Sequence, residues 1–189
     1  MNNTHITTPL ATLLAMPLAL VLAGCGKAPD AVAEKAAEKM IESAASKDGT
    51  KAKVDLAQGG ATITTTDGSG KTSKMEMGTA KVGEADVGVP FYPGTQPAEG
   101  QAMRVATPDG SMVSVGFESA DAPEKVAAFY RDTLKARSQG KQFVEMTDGS
   151  GGATLSLVDE KTNSTVQVHV QKADNGSEIQ IVSTTGKPK

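Results

Sequence analysis

Charge is absent from the first 25 residues of this 189-residue chain, and this feature limits which part of the sequence can form a water-soluble fold. Every Lys, Arg, Asp and Glu lies after Cys25. Residues 10–23 read LATLLAMPLALVLA, an apolar run shorter than the roughly 20 residues that span a bilayer as a helix. This length is typical of the apolar region of a cleavable export signal. We therefore expect the fold to be built from the residues after Cys25.

The apolar run ends in four residues that resemble the lipobox of bacterial lipoproteins: Leu22, Ala23, Gly24 and Cys25. The resemblance implies a signal peptide over residues 1–24, lipid attachment at Cys25, and a lipidated amino terminus and spacer over residues 25–29. Cys25 is the single cysteine, so no internal disulfide can form. The alternatives are cleavage by the general export peptidase, or a buried cysteine after an unrelated apolar stretch. One departure is that the segment before the run lacks the Lys or Arg that usually opens a signal peptide.

The same resemblance implies a location in the cell envelope. Gly26 follows the cysteine at a position where Asp favours inner-membrane retention in Gram-negative lipoproteins. We therefore expect anchoring at the periplasmic face of the outer membrane, with the inner membrane as the alternative. The resemblance also implies more than one acyl chain and hence permanent anchoring, whereas a single chain binds a membrane only marginally. With 22 acidic and 19 basic residues, the net charge of −3 gives no electrostatic case for binding nucleic acid.

Residues 30–82 are predicted to form a helix followed by β-hairpins. Apolar residues recur at helical spacing through residues 30–47, which read DAVAEKAAEKMIESAASK. We expect the apolar stripe of this helix to lie against the hairpins, and a stalk or docking helix is the alternative. Alternating apolar residues after it predict strands, with turns at Gly59-Gly60 and Asp67-Gly68.

Residues 83–100 are rich in Gly and Pro and are predicted to be a linker, followed by a domain over residues 101–185. A helix is predicted from Asp121 to about Arg137, because Pro123 and Glu124 suit the first turn of a helix. Strand patterns flank this helix on both sides. The predicted fold class is α+β, an antiparallel β-sheet packed by one helix and preceded by an N-terminal helix and β-hairpins. Aromatic residues make up only 3% of the chain, so the core should be thin.

Two segments resemble a pattern of uncharacterised bacterial envelope lipoproteins. They read VPFYPG at residues 89–94 and ADAPEKVAAFY at residues 120–130. The resemblance covers about residues 30–137 and implies a fold and a lipoprotein class, but no reaction. Within the first segment, Phe91 and Tyr92 are interpreted as a possible exposed contact surface, and a buried turn between domains is the alternative.

Motifs that could carry chemistry each have a simpler interpretation. The stretch GSGKT at residues 68–72 resembles the end of a phosphate-binding P-loop, but a strand pattern follows it, so a β-turn is expected. His169 alternates with Val168 and Val170 and is expected to face solvent. Removal of the signal peptide would also remove His5, and the one remaining histidine without a free thiol cannot build a zinc site or a Cys/His pair. We predict no catalytic residue, no metal and no cofactor.

Methionines and acidic turns are the remaining candidates for a metal site. Met75 and Met77 could offer thioether ligands to copper, but methionines on one strand face are more typical of a core. The segments DGSGG at 148–152 and DNG at 174–176 lack the Glu that completes a calcium loop, so hairpin turns are expected. The pair Asp159-Glu160 is at a predicted strand end beside Lys161.

The sequence therefore predicts a membrane-anchored periplasmic lipoprotein that acts as a non-enzymatic binding or adaptor module. Its partner would be an envelope protein, a cell-wall component or a peptide. The first alternative is a small-ligand carrier or sensor with a pocket between helix 121–137 and the sheet. The second is a hydrolase or transferase that relies on Ser, Asp and Lys groups.

Overall fold

The computed structural model describes residues 31–187, except residues 47–48, 58–59 and 79. The predicted signal peptide, the lipobox with Cys25 and the spacer lie outside the described residues. Within the described part, no helix is long and apolar enough to cross a membrane. The chain from Ala31 onward forms one compact unit.

The described chain forms nine strands and three helices. The strands are Lys51–Ala57 (β1), Gly60–Thr66 (β2), Thr72–Met77 (β3), Ala102–Thr107 (β4), Gly110–Ser119 (β5), Gln142–Thr147 (β6), Ala153–Asp159 (β7), Ser164–Ala173 (β8) and Gly176–Gly186 (β9). The helices are Ala31–Ala45 (α1), Glu84–Val87 (α2) and Pro123–Lys135 (α3). The α+β prediction is confirmed only coarsely, because the sheet dominates and the helices are few.

All nine strands belong to one antiparallel sheet in the order β1-β2-β3-β4-β5-β9-β8-β7-β6. After β5 the chain passes through α3 to the far edge, and β6 to β9 then return toward the centre. The longest pairing joins β5 to β9, from Gly110 opposite Gly186 to Ser119 opposite Ser177. Pairing of β3 with β4, including Met77 opposite Met103, joins the predicted hairpin region to the rest of the sheet.

Side chains alternate between the two faces of the sheet, and the register shows which residues share a face. On the front face, β5, β7, β8 and β9 bury an apolar core beneath α3. Its large members are Phe117, Tyr130, Leu134, Leu155, Ile179 and Ile181. The back face is the opposite surface, which carries Met77, Met103 and Met112 on β3, β4 and β5.

The Gly/Pro-rich segment 83–100 differs from the predicted linker. It contains α2, and Val87 and Val89 are both buried in the core. Gly88 ends α2 in the left-handed conformation, with a φ of 74°, a region that glycine adopts without steric cost. Arg137 donates a hydrogen bond from Nη1 to the carbonyl oxygen of Gly88. The glycines and prolines therefore shape a packed turn instead of a spacer.

Helix α1 covers the free edge of β1 with acidic side chains. The backbone N–H of Leu56 donates to Glu38 Oε1 at 2.8 Å, and the N–H of Val54 donates to Glu42 Oε1 at 2.8 Å. Four residues of helix rise about 6.0 Å and two residues of strand about 6.8 Å, so the two repeats match closely. These contacts satisfy outward N–H groups that would otherwise invite another strand.

The orientation of α1 differs from the one expected from its apolar stripe. Glu38 and Glu42 turn toward β1, whereas the side chains of Met40 and Ile41 are 73% and 41% exposed. The edge strand offers a row of backbone donors, and carboxylates satisfy such donors where apolar side chains cannot.

Candidate functional site

The interior between α3 and the sheet is filled by protein side chains. Val126, Tyr130 and Leu134 on one side of α3 are fully buried against the front face. Five surface cavities of about 140 to 450 Å³ are lined by residues of other elements, none of them from α3. In the described residues, the predicted alternative of a carrier pocket beneath helix 121–137 therefore has no open cavity among these five.

Tyr92 is buried, and its hydroxyl is tied to the start of α3. The side chain is 6% exposed, and its hydroxyl donates to Asp121 Oδ2 at 2.7 Å. Lys125 Nζ donates to Asp121 Oδ1 at 2.9 Å. The bond from Tyr92 and the Lys125 ammonium lower the pKa of Asp121, and the same carboxylate raises the pKa of Tyr92. The contact is structural, because it fixes the segment 89–94 to α3.

The interpretation of Phe91 and Tyr92 as an exposed contact surface therefore requires correction. Phe91 is partly buried against the core, with its ring centroid 4.6 Å from that of Phe117. Tyr92 packs edge-on against Phe129 with ring centroids 5.3 Å apart. Such aromatic contacts favour burial over exposure, and the buried turn is the arrangement that the structure has.

Tyr130 carries the one buried side-chain polar atom that lacks a hydrogen-bond partner in the described part of the chain. Burial raises the pKa of its hydroxyl far above the usual value, and the nearby backbone of Tyr92 offsets this only in part. The hydroxyl lies in the packed core and reaches no open cavity, so it is a weak candidate for catalysis.

Two ion pairs hold the front face at opposite ends. Arg131 of α3 contacts Glu145 Oε1 at 2.6 Å through its Nε, which lowers the pKa of Glu145. Arg104 Nη2 contacts Asp86 Oδ1 at 2.8 Å, and the N–H of Gly83 together with Arg104 lowers the pKa of Asp86. Each is a paired charge between neighbouring elements, so neither provides a free acid or base.

The motifs considered for chemistry lie in turns or on the open sheet. Segment 68–72 follows Asp67, whose Oδ1 accepts the N–H groups of Ser69 and Lys71, and β3 begins at once. The expected β-turn is confirmed. Asp148 accepts from the N–H groups of Ser150 and Gly152 in the hairpin between β6 and β7. Within the described residues, no group of three or more His, Cys, Asp or Glu could hold a metal ion.

His169 lies on the back face and is partly exposed, as expected for a strand residue that faces solvent. Its Nδ1 is 2.9 Å from Thr154 Oγ1, and its Nε2 is 3.3 Å from Gln171 Oε1. Gln180, opposite His169 on β9, donates from Nε2 to Ser114 Oγ at 3.4 Å. Thr154 and His169 pair across β7 and β8, and Gln180 and Ser114 pair across β9 and β5, so polar side chains line this part of the back face.

Polarity is inverted between the two halves of the sheet. In β1 to β4 the front face carries charged side chains such as Asp55, Lys74, Glu76 and Arg104. The back face of the same half carries apolar side chains in two rows, and one of them continues onto β5. The rows are Ala61, Met77 and Met103, and Ile63, Met75, Val105 and Met112. We call these seven residues the methionine patch.

The methionine patch faces outward in the described part of the chain. Helix α3 packs on the front face of the other half, and α1 contacts β1. Met77 is 36% exposed and the other six residues are partly exposed. Val144 and Met146 expose further apolar surface on the same face, at the far edge. Contiguous exposed apolar surface of this kind marks interaction sites more often than single exposed residues do.

Sequence reasoning missed the methionine patch although it recognised Met75 and Met77 as lying on one strand face. Alternation shows that two residues share a face, but only the pairing of β3 with β4 brings Met103 beside Met77. A signal was present in the spacing of Met103, Val105 and Met112 around the turn at 108–110. The interpretation of Met75 and Met77 as copper ligands stays untested, because an apolar surface would place the two methionines in the same strand register.

Comparison with known proteins gives one result. A family model described as START domain-like matches residues 100–179. The match begins just before β4, includes α3 and ends within β9, which is less than half of the 189 residues. No curated protein and no solved structure matches the chain. This part of the chain is thus similar to START-like domains, which is consistent at a coarse level with a ligand-binding module.

Proposed function

We propose that this chain is a lipid-anchored bacterial envelope protein whose folded part binds another envelope protein through the back face of its sheet. The anchor would be Cys25, at the periplasmic face of the outer membrane, and the protein would act as an adaptor without a reaction of its own. The observation that carries the binding proposal is the outward-facing methionine patch.

The apolar and uncharged character of the methionine patch favours a protein as its partner. Met77 and Met103 are direct cross-strand neighbours, and Met75 and Val105 pair in the adjacent row. The seven patch residues carry no charge, so a partner can cover them without desolvating an ion. Burial of apolar area contributes about 25 cal/mol per Å², and flexible thioether side chains adapt to different partner surfaces.

The polar half of the back face suits the rim of such an interface. Gln167, His169 and Gln180 offer donors and acceptors on the part of the back face beside the apolar rows, and their side chains are exposed or partly exposed. Protein interfaces commonly combine an apolar centre with a polar rim. Nine strands about 4.8 Å apart span about 38 Å, which is broad enough for a contact of standard size.

Site-specific photo-crosslinking in living cells tests this proposal. A photo-reactive amino acid at Met77 should capture a defined envelope protein, whereas the same amino acid at Asp132, exposed on α3, should not. A Cys25→Ala form should lose both membrane attachment and the crosslink. Equal capture at the two positions, or none at either in a folded and anchored protein, would remove support for the back face.

A small-ligand carrier is the second candidate, favoured by the START-like match over residues 100–179. Its pocket would have to open between α3 and the sheet, where Tyr130 and Leu134 are packed. Mass spectrometry of the protein isolated without detergent from the soluble Cys25→Ala form separates the candidates. A stoichiometric small molecule that survives purification would favour the carrier.

A further inference from the structure

The two edges of the sheet differ in how they are protected. At one edge, Glu38 and Glu42 of α1 accept the outward N–H groups of β1. At the other edge, β6 pairs with β7 alone, and no described element lies beyond it. Proteins usually protect an edge strand with charge, proline or a covering segment, because its unpaired backbone groups bind other strands. Strand β6 has no proline, and its back-face residues, Gln142, Val144 and Met146, carry no charge.

The hairpin between β6 and β7 shows which backbone groups of β6 face the open edge. The N–H of Asp148 donates to the carbonyl oxygen of Gly152 at 3.2 Å, so these two residues form a hydrogen-bonded pair at the end of the ladder. In an antiparallel ladder such pairs alternate with non-hydrogen-bonded pairs. The even-numbered residues of β6 are therefore bonded to β7, whereas the N–H and C=O groups of Phe143, Glu145 and Thr147 point away from it. The backbone of an extended strand satisfies such a row of donors and acceptors.

The front-face side chains at this edge carry both signs of charge in a fixed order. Lys135 of α3 places its Nζ 5.6 Å from the ring centroid of Phe143. Two residues further along β6, Glu145 pairs with Arg131. An antiparallel second copy of β6 reverses this order, so that its Glu145 lies beside Phe143 and beneath Lys135 of the first copy. A twofold axis repeats the same contact, and the edge is therefore complementary in charge to itself.

Charge and overlap select one register for this self-pairing. Front-face residues must lie opposite front-face residues, so the register can shift only in whole steps of the pleat. With Val144 opposite Val144 of the second copy, residues 142–146 pair and Glu145 lies opposite Phe143. A step toward the carboxyl end places Glu145 opposite its own equivalent, and like charges directly opposite are destabilising. A step toward the amino end leaves only residues 142–144 paired.

Helix α3 leaves room for a second copy. It packs mainly over β7 and β8. The β7 strands of two copies joined through β6 are three strand spacings apart, or about 14 Å. Packed helices approach to about 8–10 Å, so the two α3 helices do not collide. The space between them accommodates the long side chains of Arg131 and Lys135.

We propose that this chain forms a twofold dimer in which β6 of one copy pairs antiparallel with β6 of the other, centred on Val144. The two nine-stranded sheets then form one continuous sheet, and Lys135 of each copy pairs with Glu145 of the other. The axis is perpendicular to the sheet, so both back faces point the same way and leave both methionine patches uncovered. The dimer depends neither on the lipid anchor nor on the proposed binding role of the methionine patch.

Cysteine crosslinking of the full-length protein in intact envelopes tests the pairing. In the dimer the two copies of position 144 form a non-hydrogen-bonded pair with Cα atoms about 4.5 Å apart, which suits a disulfide. Val144→Cys should therefore give a disulfide-linked dimer under mild oxidation. Met146→Cys is the matched control, because Met146 is more exposed than Val144, 60% against 38%. Random collision favours position 146, whereas pairing favours position 144, since the copies of position 146 lie about 14 Å apart.

A double variant tests the register, and a charge reversal tests the ion pairs. Position 142 lies opposite position 146 of the second copy, so Gln142→Cys/Met146→Cys should crosslink although neither single variant does. Lys135→Glu should raise the dissociation constant of the dimer at least about tenfold in sedimentation velocity of the detergent-purified protein, because two attractive pairs become repulsive. Lys53→Glu makes the same charge change at an exposed residue of β1 and should leave that constant unchanged.

The outcomes separate this dimer from other contacts. Equal crosslinking at positions 144 and 146 would indicate random collision and overturn the proposal. The absence of a dimer in both Val144→Cys and the double variant, with thermal midpoints unchanged, would also overturn it. A disulfide from position 144 to a different envelope protein would assign the edge to another strand and exclude the second copy. Crosslinking without an introduced cysteine would reveal a free Cys25 thiol, which contradicts only the anchor, and the variants are then compared in a Cys25→Ala background.

Discussion

Replacing Tyr130 with Phe should stabilise the fold, although it removes a polar group from the core. The Tyr130 hydroxyl is fully buried on α3 and has no hydrogen-bond partner in the described part of the chain. In the unfolded chain the same hydroxyl is hydrogen-bonded to water. Folding therefore costs the desolvation of this group, and the nearby backbone of Tyr92 compensates for it only in part.

The expected gain is about 1 kcal/mol. Burying a hydroxyl without a partner costs about 1–3 kcal/mol in proteins, and the lost contacts of the oxygen atom offset part of this gain. For a domain of this size, about 1 kcal/mol raises the melting temperature by roughly 2–4 °C. Tyr92→Phe is the matched control and should destabilise the fold, because the Tyr92 hydroxyl donates to Asp121 at 2.7 Å.

Thermal and urea unfolding followed by far-ultraviolet circular dichroism measure both variants, since the chain has no Trp for fluorescence. The two substitutions remove the same atom from the same residue type, so they differ only in the environment of the hydroxyl. A Tyr130→Phe variant less stable than the wild type would refute the reasoning and show that a partner, such as an ordered water, satisfies this hydroxyl.

Three further outcomes are expected. Leu134→Ala should lower the free energy of unfolding by about 2–5 kcal/mol in urea titrations, because the fully buried side chain would leave a cavity between α3 and the sheet. Glu42→Ala should speed hydrogen exchange of the Val54 amide about tenfold, as expected for loss of a charge-assisted bond of roughly 1.5 kcal/mol. Arg131 lowers the pKa of Glu145, so this pair stabilises the fold above the unfolded pKa of Glu and loses that effect as pH falls through the folded pKa. Glu145→Gln should therefore lose less stability than the wild type on acidification.

Each of these three predictions has its own control. Met146→Ala, at an exposed site, should change stability far less than Leu134→Ala, and equal losses would mean that the α3 interface is loosely packed. Ser43→Ala, on an exposed part of α1, should leave exchange at Val54 unchanged, and acceleration there would point to general fraying of the helix. An acid response of Glu145→Gln as steep as that of the wild type would assign the effect to other carboxylates.

Local sequence patterns predicted the elements well but not their partners. Pro123 and Glu124 marked the start of α3, and alternation in segments such as Val166, Val168 and Val170 marked the strands. Both signals are local, since they depend on the first turn of a helix or on the two-residue strand repeat.

Long-range register could not be predicted from the same patterns. The pairing of β5 with β9 joins residues about 70 positions apart, such as Val115 and Ile181, and nothing local specifies it. The side of α1 that meets the sheet also depended on a tertiary contact, the free N–H groups of Val54 and Leu56. The interpretation of Tyr92 as an exposed residue was wrong for a similar reason, because its hydrogen-bond partner Asp121 lies 29 residues away in the sequence.

Oxidation of methionines in intact envelopes tests the central claim most directly. Mild peroxide converts exposed methionines to sulfoxides at rates that follow their exposure, and mass spectrometry reports each site separately. If a partner covers the back face, Met77 and Met103 should oxidise more slowly in envelopes than in the purified, folded protein, and detergent extraction should abolish this protection. Equal rates at Met77 and Met103 before and after extraction would contradict the claim that the methionine patch is the binding surface.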